Sequence, residues 1–287
     1  MLCKYPIVVN RQMVGCGQCI HCRANRRREW VLRILLELEK HEFNTFLTLT
    51  YDDVHLPADQ SLKTEHLTNF FKRLRYKVDY PIRYYAVGEY GEETERPHYH
   101  VALFGHPNCQ YGRTRSKPLC CSQCTKIKQI WGMGNVYLGE LNEYSATYIA
   151  GYILKKLTKK DDPKLNGRYP EFARMSLKPA IGSNYIEEIA KELKRFNQKE
   201  VPFFLLRGTK YMPLDQYMRN AISKASGLPK AKKNTLDLSE MYEEEREIGT
   251  RGPQVTWNLQ EKVYKKNKFR LDYIERKNDT IRRRKAL

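Results

Sequence analysis

Residues 96–105 read RPHYHVALFG, the pattern of a buried β-strand that carries two histidines two positions apart. Alternate side chains of a strand lie on the same face. His98 and His100 are therefore predicted to point into one space, whereas Tyr99 faces the opposite side. Two imidazoles aimed at a common point are half of a metal site, although hydrogen bonds alone could also satisfy the pair.

The preceding segment, residues 83–90, has strand character and supplies a candidate carboxylate. The turn-rich residues 91–97 would let it fold back antiparallel onto the histidine strand, which places Glu89 beside both imidazoles. Two imidazoles and one carboxylate, with coordination positions left open, suit Mg²⁺ or Mn²⁺ in a Lewis-acid role. The rival carboxylates lie on the intervening loop, which holds ligand geometry less well: Glu92, Glu93 and Glu95.

The charge of the chain indicates an anionic partner. The 287 residues include 52 Lys and Arg against 33 Asp and Glu, a formal net charge of +19. We expect nucleic acid as the partner, with a membrane surface as the alternative. No apolar run approaches the roughly 20 residues of a spanning helix, and no signal peptide is recognised. The expected location is therefore the cytoplasm, without a membrane partner.

Eight cysteines form two groups, which in a cytosolic protein indicate metal before disulfides. Cys16, Cys19 and Cys22 fall within seven residues, and Cys3 could complete a tetrahedral Zn²⁺ set, with His21 as a substitute. Reduced thiols are the alternative for both groups. The second group lies on an insertion that could form a zinc knuckle or an ordinary loop: Cys109, Cys120, Cys121 and Cys124.

A basic helix is predicted from Arg23, with apolar residues from Trp30 to Leu38 at helical spacing. Positive charge at a helix N terminus opposes the macrodipole and is unfavourable unless a phosphate lies nearby. The alternative is a solvated charged face. Arg33 belongs to the same run, and the predicted DNA contacts are Arg23, Arg26, Arg27 and Arg28.

Residues 148–156 read YIAGYILKK on a long helix predicted from about Asn142. Tyr148 and Tyr152 would share one helix face, about 6 Å apart along the axis, with Lys155 and Lys156 one turn later. A phenolate favoured by nearby ammonium groups and a metal-bound phosphate could attack a DNA phosphodiester and conserve its bond energy in a phosphotyrosine. Core packing is the alternative, because Tyr144 extends the same stripe.

The predicted fold class is α+β, with helices packed against an antiparallel sheet. The predicted strands cover residues 7–9, 44–51, 83–90, 98–104, 135–138 and 202–206. The predicted helices begin near residues 23, 61 to 64 and 142, pass through 127–131 and cover 185–196.

Together, these motifs resemble the histidine-hydrophobe-histidine (HUH) superfamily of rolling-circle replication initiators. The carriers of the resemblance are the strand 46–51, the His98-Tyr99-His100 motif and the Tyr148-x-x-x-Tyr152 helix with its lysines. The run CGQCIHCR at 16–23, with the arginines that follow, is similar to the initiators of gokushovirus-like microviruses, which are single-stranded DNA phages. The resemblance covers about residues 1–215. Tyr99 departs from the aliphatic residue usual in the motif.

The resemblance implies a role for each matching residue. His98 and His100 would bind the metal with Glu89 as third ligand, Tyr148 and Tyr152 would be the paired nucleophiles, and Lys155 or Lys156 would contact the scissile phosphate. It also implies three segments: a Cys-rich element and basic helix at 1–40, an HUH-type nicking domain at 41–226 with an insertion at 106–124, and a charged appendage at 227–287.

The implied activity is initiation of rolling-circle replication in the cytoplasm of a bacterial host. Such a protein cuts one strand at the origin, stays joined to the 5′ phosphate, leaves a 3′ hydroxyl for the host polymerase and later rejoins the displaced strand. A host helicase is expected, because the sequence has no Gly-x-x-x-x-Gly-Lys-Ser/Thr loop for ATP. The alternatives are a plasmid initiator, relaxase or transposase, or a noncatalytic zinc-containing DNA-binding protein.

Overall fold

A computed structural model describes residues 3, 5, 7–9, 12–91, 93–111, 121–155, 163–207 and 210–231. Its strands are β1 (Ile7–Val9), β2 (Gln12–Val14), β3 (Asn44–Thr50), β4 (Arg83–Tyr90), β5 (Pro97–Phe104), β6 (Val136–Glu140), β7 (Phe172–Met175), β8 (Phe204–Arg207) and β9 (Lys210–Pro213). Its helices are α1 (Ile20–Leu38), α2 (Thr64–Lys77), α3 (Ser122–Trp131), α4 (Glu143–Lys155), α5 (Ile186–Arg195) and α6 (Gln216–Ser226).

The central element is a five-stranded antiparallel sheet in the order β6-β3-β5-β4-β7. The histidine strand β5 therefore lies in the middle, between β3 and β4. The register sets Glu89 of β4 opposite His98, and Thr48 of β3 opposite His100. The predicted α+β class with an antiparallel sheet is confirmed.

Helices cover both faces of this sheet, and the alternation of β5 assigns its residues to two cores. Tyr99, Val101 and Leu103 pack with the apolar residues of α2 and α3. Ala102 and Phe104 pack on the opposite face with those of α1 and α4. His98 and His100 share the second face because they lie an even number of positions from these two residues. The two imidazoles consequently face α4.

The edges of the sheet differ from the sequence prediction. Residues 202–206 were expected to complete the sheet, but β8 pairs with β9 in a separate two-stranded sheet. The edge position beside β4 belongs instead to β7, which the sequence did not reveal. Four residues reading FARM carry too little alternation to identify an edge strand.

The chain divides into two compact units. One unit contains residues 1–5 and 15–231, and thus the sheet, all the described helices and the predicted boundary at residue 40. In the other, residues 6–14 and 232–287, the described elements are β1 and β2. The basic appendage predicted at 227–287 lies outside the described residues beyond residue 231. Within the described part of the chain, every helix is too short or too polar to cross a lipid bilayer.

Candidate functional site

A carboxylate and two imidazoles meet on the α4 face of the sheet. Glu89 Oε1 lies 2.6 Å from His98 Nε2 and 2.9 Å from His100 Nε2. The three candidate ligand atoms all lie within 4.8 Å of one another. This convergence follows from the β4–β5 register, in which Glu89 and His98 are directly opposed and His100 follows two positions later on the same face.

Partners at the far side of each ring orient both imidazoles. His98 Nδ1 lies 3.1 Å from the carbonyl oxygen of Arg96, and His100 Nδ1 lies 2.9 Å from Thr48 Oγ1. With its ring proton on Nδ1, each histidine donates outward and turns the lone pair of Nε2 towards Glu89. This arrangement is the one that metal-ligating histidines adopt, and Thr48 is a positioning residue that motif reasoning did not identify.

The Glu89 carboxylate has the properties of an ionised ligand. Its residue is 3% exposed. Burial raises the pKa of Glu89, but hydrogen bonds with His100 and His98 outweigh it, so the net pKa is lowered. The second oxygen, Oε2, is buried and has no hydrogen-bond partner among the described residues. Two nitrogen donors beside an unsatisfied carboxylate oxygen fit a divalent cation such as Mg²⁺ or Mn²⁺.

The tyrosine helix brings two phenols to the same imidazole. Asn142 begins α4 by accepting hydrogen bonds at Oδ1 from the backbone N–H groups of Tyr144 and Ser145, at 3.0 and 3.1 Å. The Tyr148 ring meets His100 edge-on with centroids 5.2 Å apart, and the Tyr152 ring stacks on His100 at 5.4 Å. The two phenol rings lie 5.1 Å apart. Nucleophile candidates and metal-ligand candidates therefore occupy one site.

Exposure distinguishes the three tyrosines of α4. Tyr144 is 76% exposed and Tyr152 is 6% exposed, whereas Tyr148 is half-buried. The predicted stripe is therefore broken, because Tyr144 points to solvent. Packing and chemistry are compatible here, since Phe46 stacks on His100 at 5.6 Å and meets Tyr148 edge-on at 5.9 Å.

Several predicted site residues are not brought to this cluster. Glu93 is exposed, and Glu95 is paired with Arg168 at 2.8 Å. Lys155 is the last residue of α4, and its side chain lies outside the described residues, as do Lys156 and Glu92.

The arginine run of α1 does not form one solvent-facing surface. Arg26 is exposed, and Arg23 and Arg28 are partly buried. Arg27 turns towards α4, where its Nε donates to the Thr147 carbonyl oxygen at 3.3 Å. Arg33, expected among these basic residues, is instead buried and ion-paired with Asp215 at 3.0 Å.

Arg219 had been considered as a DNA contact or a surface residue. The structure places it in the interior, 7% exposed, with its guanidinium 3.8 Å from the ring centroid of Phe203. The excess of charge in the sequence predicted the class of partner, but it carries no information on which cations face solvent.

Two cysteine clusters are present besides the histidine site. The sulfurs of Cys3, Cys16, Cys19 and Cys22 lie within 4.8 Å of one another, so four thiols complete the set without His21. The second cluster contains Cys109, Cys121 and Cys124, and Cys120 lies outside the described residues. None of the described cysteines forms a disulfide.

Comparison with known proteins places these elements in a family. The model of the replication-associated protein ORF2 family matches residues 44–159. Replication-associated protein VP4 of Bdellovibrio phage phiMH2K is 35% identical over 60% of this chain and 57% of its own length. Replication-associated protein ORF2 of Spiroplasma virus 4 is 37% identical over 61% of this chain and 57% of its own length.

Replication-associated protein ORF4 of Chlamydia phage 1 is 34% identical over 49% of this chain and 38% of its own length. The chain thus spans a little over half the length of the first two relatives. No solved structure matches. The matched family segment runs from β3 to just beyond α4 and contains both the Glu89–His98–His100 cluster and the two tyrosines. Through residues 44–159, the chain belongs to the replication-associated protein ORF2 family.

Proposed function

We propose that this protein initiates rolling-circle replication of a single-stranded DNA phage genome by nicking one strand through a tyrosine nucleophile and later rejoining the displaced strand. One observation carries the proposal: the Tyr148 and Tyr152 rings both contact the ring of His100, whose Nε2 is 2.9 Å from Glu89. A nucleophile and a cation site in one place are what transfer of a phosphodiester requires.

The protein's residues would divide the work of cleavage. The phenolic oxygen of a tyrosine attacks the phosphorus, a bond forms between them, and the bond to the 3′ oxygen breaks, leaving a 3′ hydroxyl once that oxygen has taken up a proton. Glu89, His98 and His100 would hold Mg²⁺ or Mn²⁺, which supplies Lewis-acid stabilisation of the phosphate charge. Rejoining is the same exchange in reverse and conserves the energy of the phosphodiester, so it needs no nucleotide cofactor.

The unequal exposure of the two phenols assigns their order. Tyr148 is half-buried and within reach of a strand at the surface, whereas Tyr152 is only 6% exposed and stacked on His100. We assign the first cleavage to Tyr148. Tyr152 would act in the second transfer, after the covalently bound strand has displaced its neighbour. Two nucleophiles in contact suit a cycle in which one holds the parent strand while the other cuts the regenerated origin.

The remaining parts of the proposal concern partners. Single-stranded DNA and origin DNA are the proposed substrates, with Arg23, Arg26 and Arg28 as the contacts on α1. Lys155 and Lys156 remain the predicted phosphate contacts. A host polymerase would extend the 3′ hydroxyl, and a host helicase would separate the strands in the bacterial cytoplasm. Zinc at the two cysteine clusters is a proposal independent of strand cleavage.

The test is formation of a covalent adduct. Purified full-length protein is incubated with 3′-labelled single-stranded oligonucleotides that tile the genome encoding it, with Mn²⁺ or with a chelator, and is analysed on denaturing gels. The wild type should yield a metal-dependent protein-linked fragment. The double variant Tyr148→Phe/Tyr152→Phe should yield none, while Tyr144→Phe, the same change on the exposed side of α4, should retain the adduct.

Persistence of the adduct in the double variant would reject these nucleophiles. Tight DNA binding without metal-dependent cleavage of any oligonucleotide would instead support the noncatalytic DNA-binding alternative. Single variants test the order of transfer, because Tyr148→Phe should abolish the first cleavage and Tyr152→Phe should spare it.

A further inference from the structure

The four N-terminal cysteines have the spacing of a tetrahedral metal site. A Zn–S bond of about 2.3 Å in a tetrahedron sets neighbouring sulfurs about 3.8 Å apart. In the structure, Cys3 Sγ and Cys19 Sγ are separated by 3.7 Å, and all four sulfurs lie within 4.8 Å of one another. A disulfide would require about 2.05 Å, so the sulfurs are arranged for coordination.

The backbone around these sulfurs is built to receive them. Cys3 Sγ accepts hydrogen bonds from the N–H groups of Cys16 at 3.2 Å and Tyr5 at 3.3 Å, and Cys16 Sγ accepts one from Cys19 N–H at 3.3 Å. Such N–H donors stabilise sulfur in its charged form. At Gly15, an added Cβ would come 2.9 Å from Cys22 Sγ, so a side chain there would displace that sulfur.

The same cluster sits at the N terminus of α1, which lacks the usual stabilising groups. The N-cap residue is Cys19, a weaker hydrogen-bond acceptor than the Ser, Thr, Asp or Asn found there in most helices. The first turn of α1 contains no acidic residue. Arg23, Arg26, Arg27 and Arg28 follow within three turns, so positive side chains add to the positive end of the helix dipole.

We propose that Cys3, Cys16, Cys19 and Cys22 bind Zn²⁺ and that the resulting anionic site caps the N terminus of α1. Four thiolates around Zn²⁺ carry about two net negative charges, placed where the dipole and the arginines are both positive. The basic start of α1 thereby gains its counter-charge within the protein. The sequence argument that this run needs a nearby phosphate is then unnecessary.

The capped turns also support the tyrosine helix. Arg27 lies two turns into α1, and its Nε donates to the Thr147 carbonyl oxygen of α4 at 3.3 Å. Gly151 of α4 leaves room for the same guanidinium, since a Cβ there would be 3.7 Å from Arg27 Nε. Order in the first turns of α1 thus fixes a contact on the face of α4 next to the tyrosines.

Metal content tests the site. Wild-type protein and the double variant Cys16→Ser/Cys19→Ser are purified in parallel, their zinc is counted by mass spectrometry, and each is reconstituted with Co²⁺. The double variant should lose one metal equivalent and the visible absorption of tetrahedral thiolate cobalt. Cys121→Ser, the same change in the other cluster, should keep that equivalent. Equal metal content in wild type and double variant would overturn the proposal, as would a disulfide among the four cysteines.

Amide hydrogen exchange tests the cap. On loss of the zinc ligands, exchange at residues 20–28 should accelerate at least about tenfold while exchange in β5 stays unchanged. Cys16→His provides a second, gentler variant, because a His and three Cys still bind Zn²⁺ but with about one negative charge fewer. It should retain zinc and show intermediate protection of α1, and Arg26→Gln, at the exposed arginine, should restore part of it. Full protection in zinc-loaded Cys16→His would refute the electrostatic cap.

Discussion

Replacing Thr48 with valine should weaken the divalent-cation site without disturbing the fold. The Thr48 hydroxyl lies 2.9 Å from His100 Nδ1, on the strand directly paired with β5. Valine has the same shape and a high strand propensity, but it cannot hold the ring proton on Nδ1. The Nε2 lone pair of His100 would then be aimed at the cation for a smaller fraction of the time.

The expected size of this effect follows from how the site is built. Loss of a partner behind a ligating histidine costs about 10- to 100-fold in metal affinity. That range corresponds to about 1.4 to 2.7 kcal/mol of binding free energy. The loss of one hydrogen bond should lower the free energy of unfolding by only about 1 kcal/mol. Metal binding should therefore respond more than stability.

The assay is titration of DNA-free protein with Mn²⁺, followed by the spin-resonance signal of unbound Mn²⁺. Thr50→Val is the matched control, because Thr50 lies on the same strand and face but its hydroxyl contacts the Asn135 carbonyl oxygen at 3.2 Å. The control should change the dissociation constant by less than about twofold. A Thr48→Val dissociation constant equal to that of the control would refute the positioning role.

Three further substitutions test the packing that supports the site. Gly151→Ala should stabilise α4 by about 0.4 to 1 kcal/mol, because the new methyl group meets Arg27 at an ordinary 3.7 Å; a lower urea midpoint would contradict this. Gly134→Ala should lower the free energy of unfolding by more than about 2 kcal/mol in thermal melts, since Gly134 has φ +142° and its Cβ would lie 2.3 Å from a backbone nitrogen; an unchanged melting temperature argues against it. Glu37→Gln should cost about 3 to 5 kcal/mol at neutral pH by breaking the buried ion pair with Arg83. Burial raises the pKa of Glu37, but its hydrogen bonds outweigh burial and the net pKa is lowered. The stabilisation is therefore present above about pH 4.3 and lost as pH falls through the lower folded pKa, and a wild-type advantage that persists in acid would disprove this account.

Local periodicity was sufficient for the parts of the site that lie on single elements. A period of two put His98 and His100 on one face of β5, and helical spacing put Tyr148 and Tyr152 on one side of α4. Glu89 was accessible to the same reasoning because a short turn between adjacent strands leaves few possible registers. The α+β class likewise followed from the order of strand-like and helical segments.

Other features depend on contacts between segments far apart in the chain. The place of β7 at the sheet edge, Thr48 behind His100, and the different burial of Tyr144 and Tyr152 are set by how whole elements pack. The arginines show the limit most clearly. Arg26 faces solvent, Arg27 docks on α4 and Arg33 is buried against Asp215, although all three belong to one basic run.

The sequence by itself determined which chemical groups are present and which of them share a face. Those properties are local, because the geometry of a strand or helix fixes neighbours two, three or four positions apart. The tertiary structure decided that the imidazole pair and the tyrosine pair, nearly fifty residues apart, meet at His100, and that Cys3 lies 3.7 Å from Cys19. Such meetings depend on the packing of the whole core, which no short window of sequence encodes.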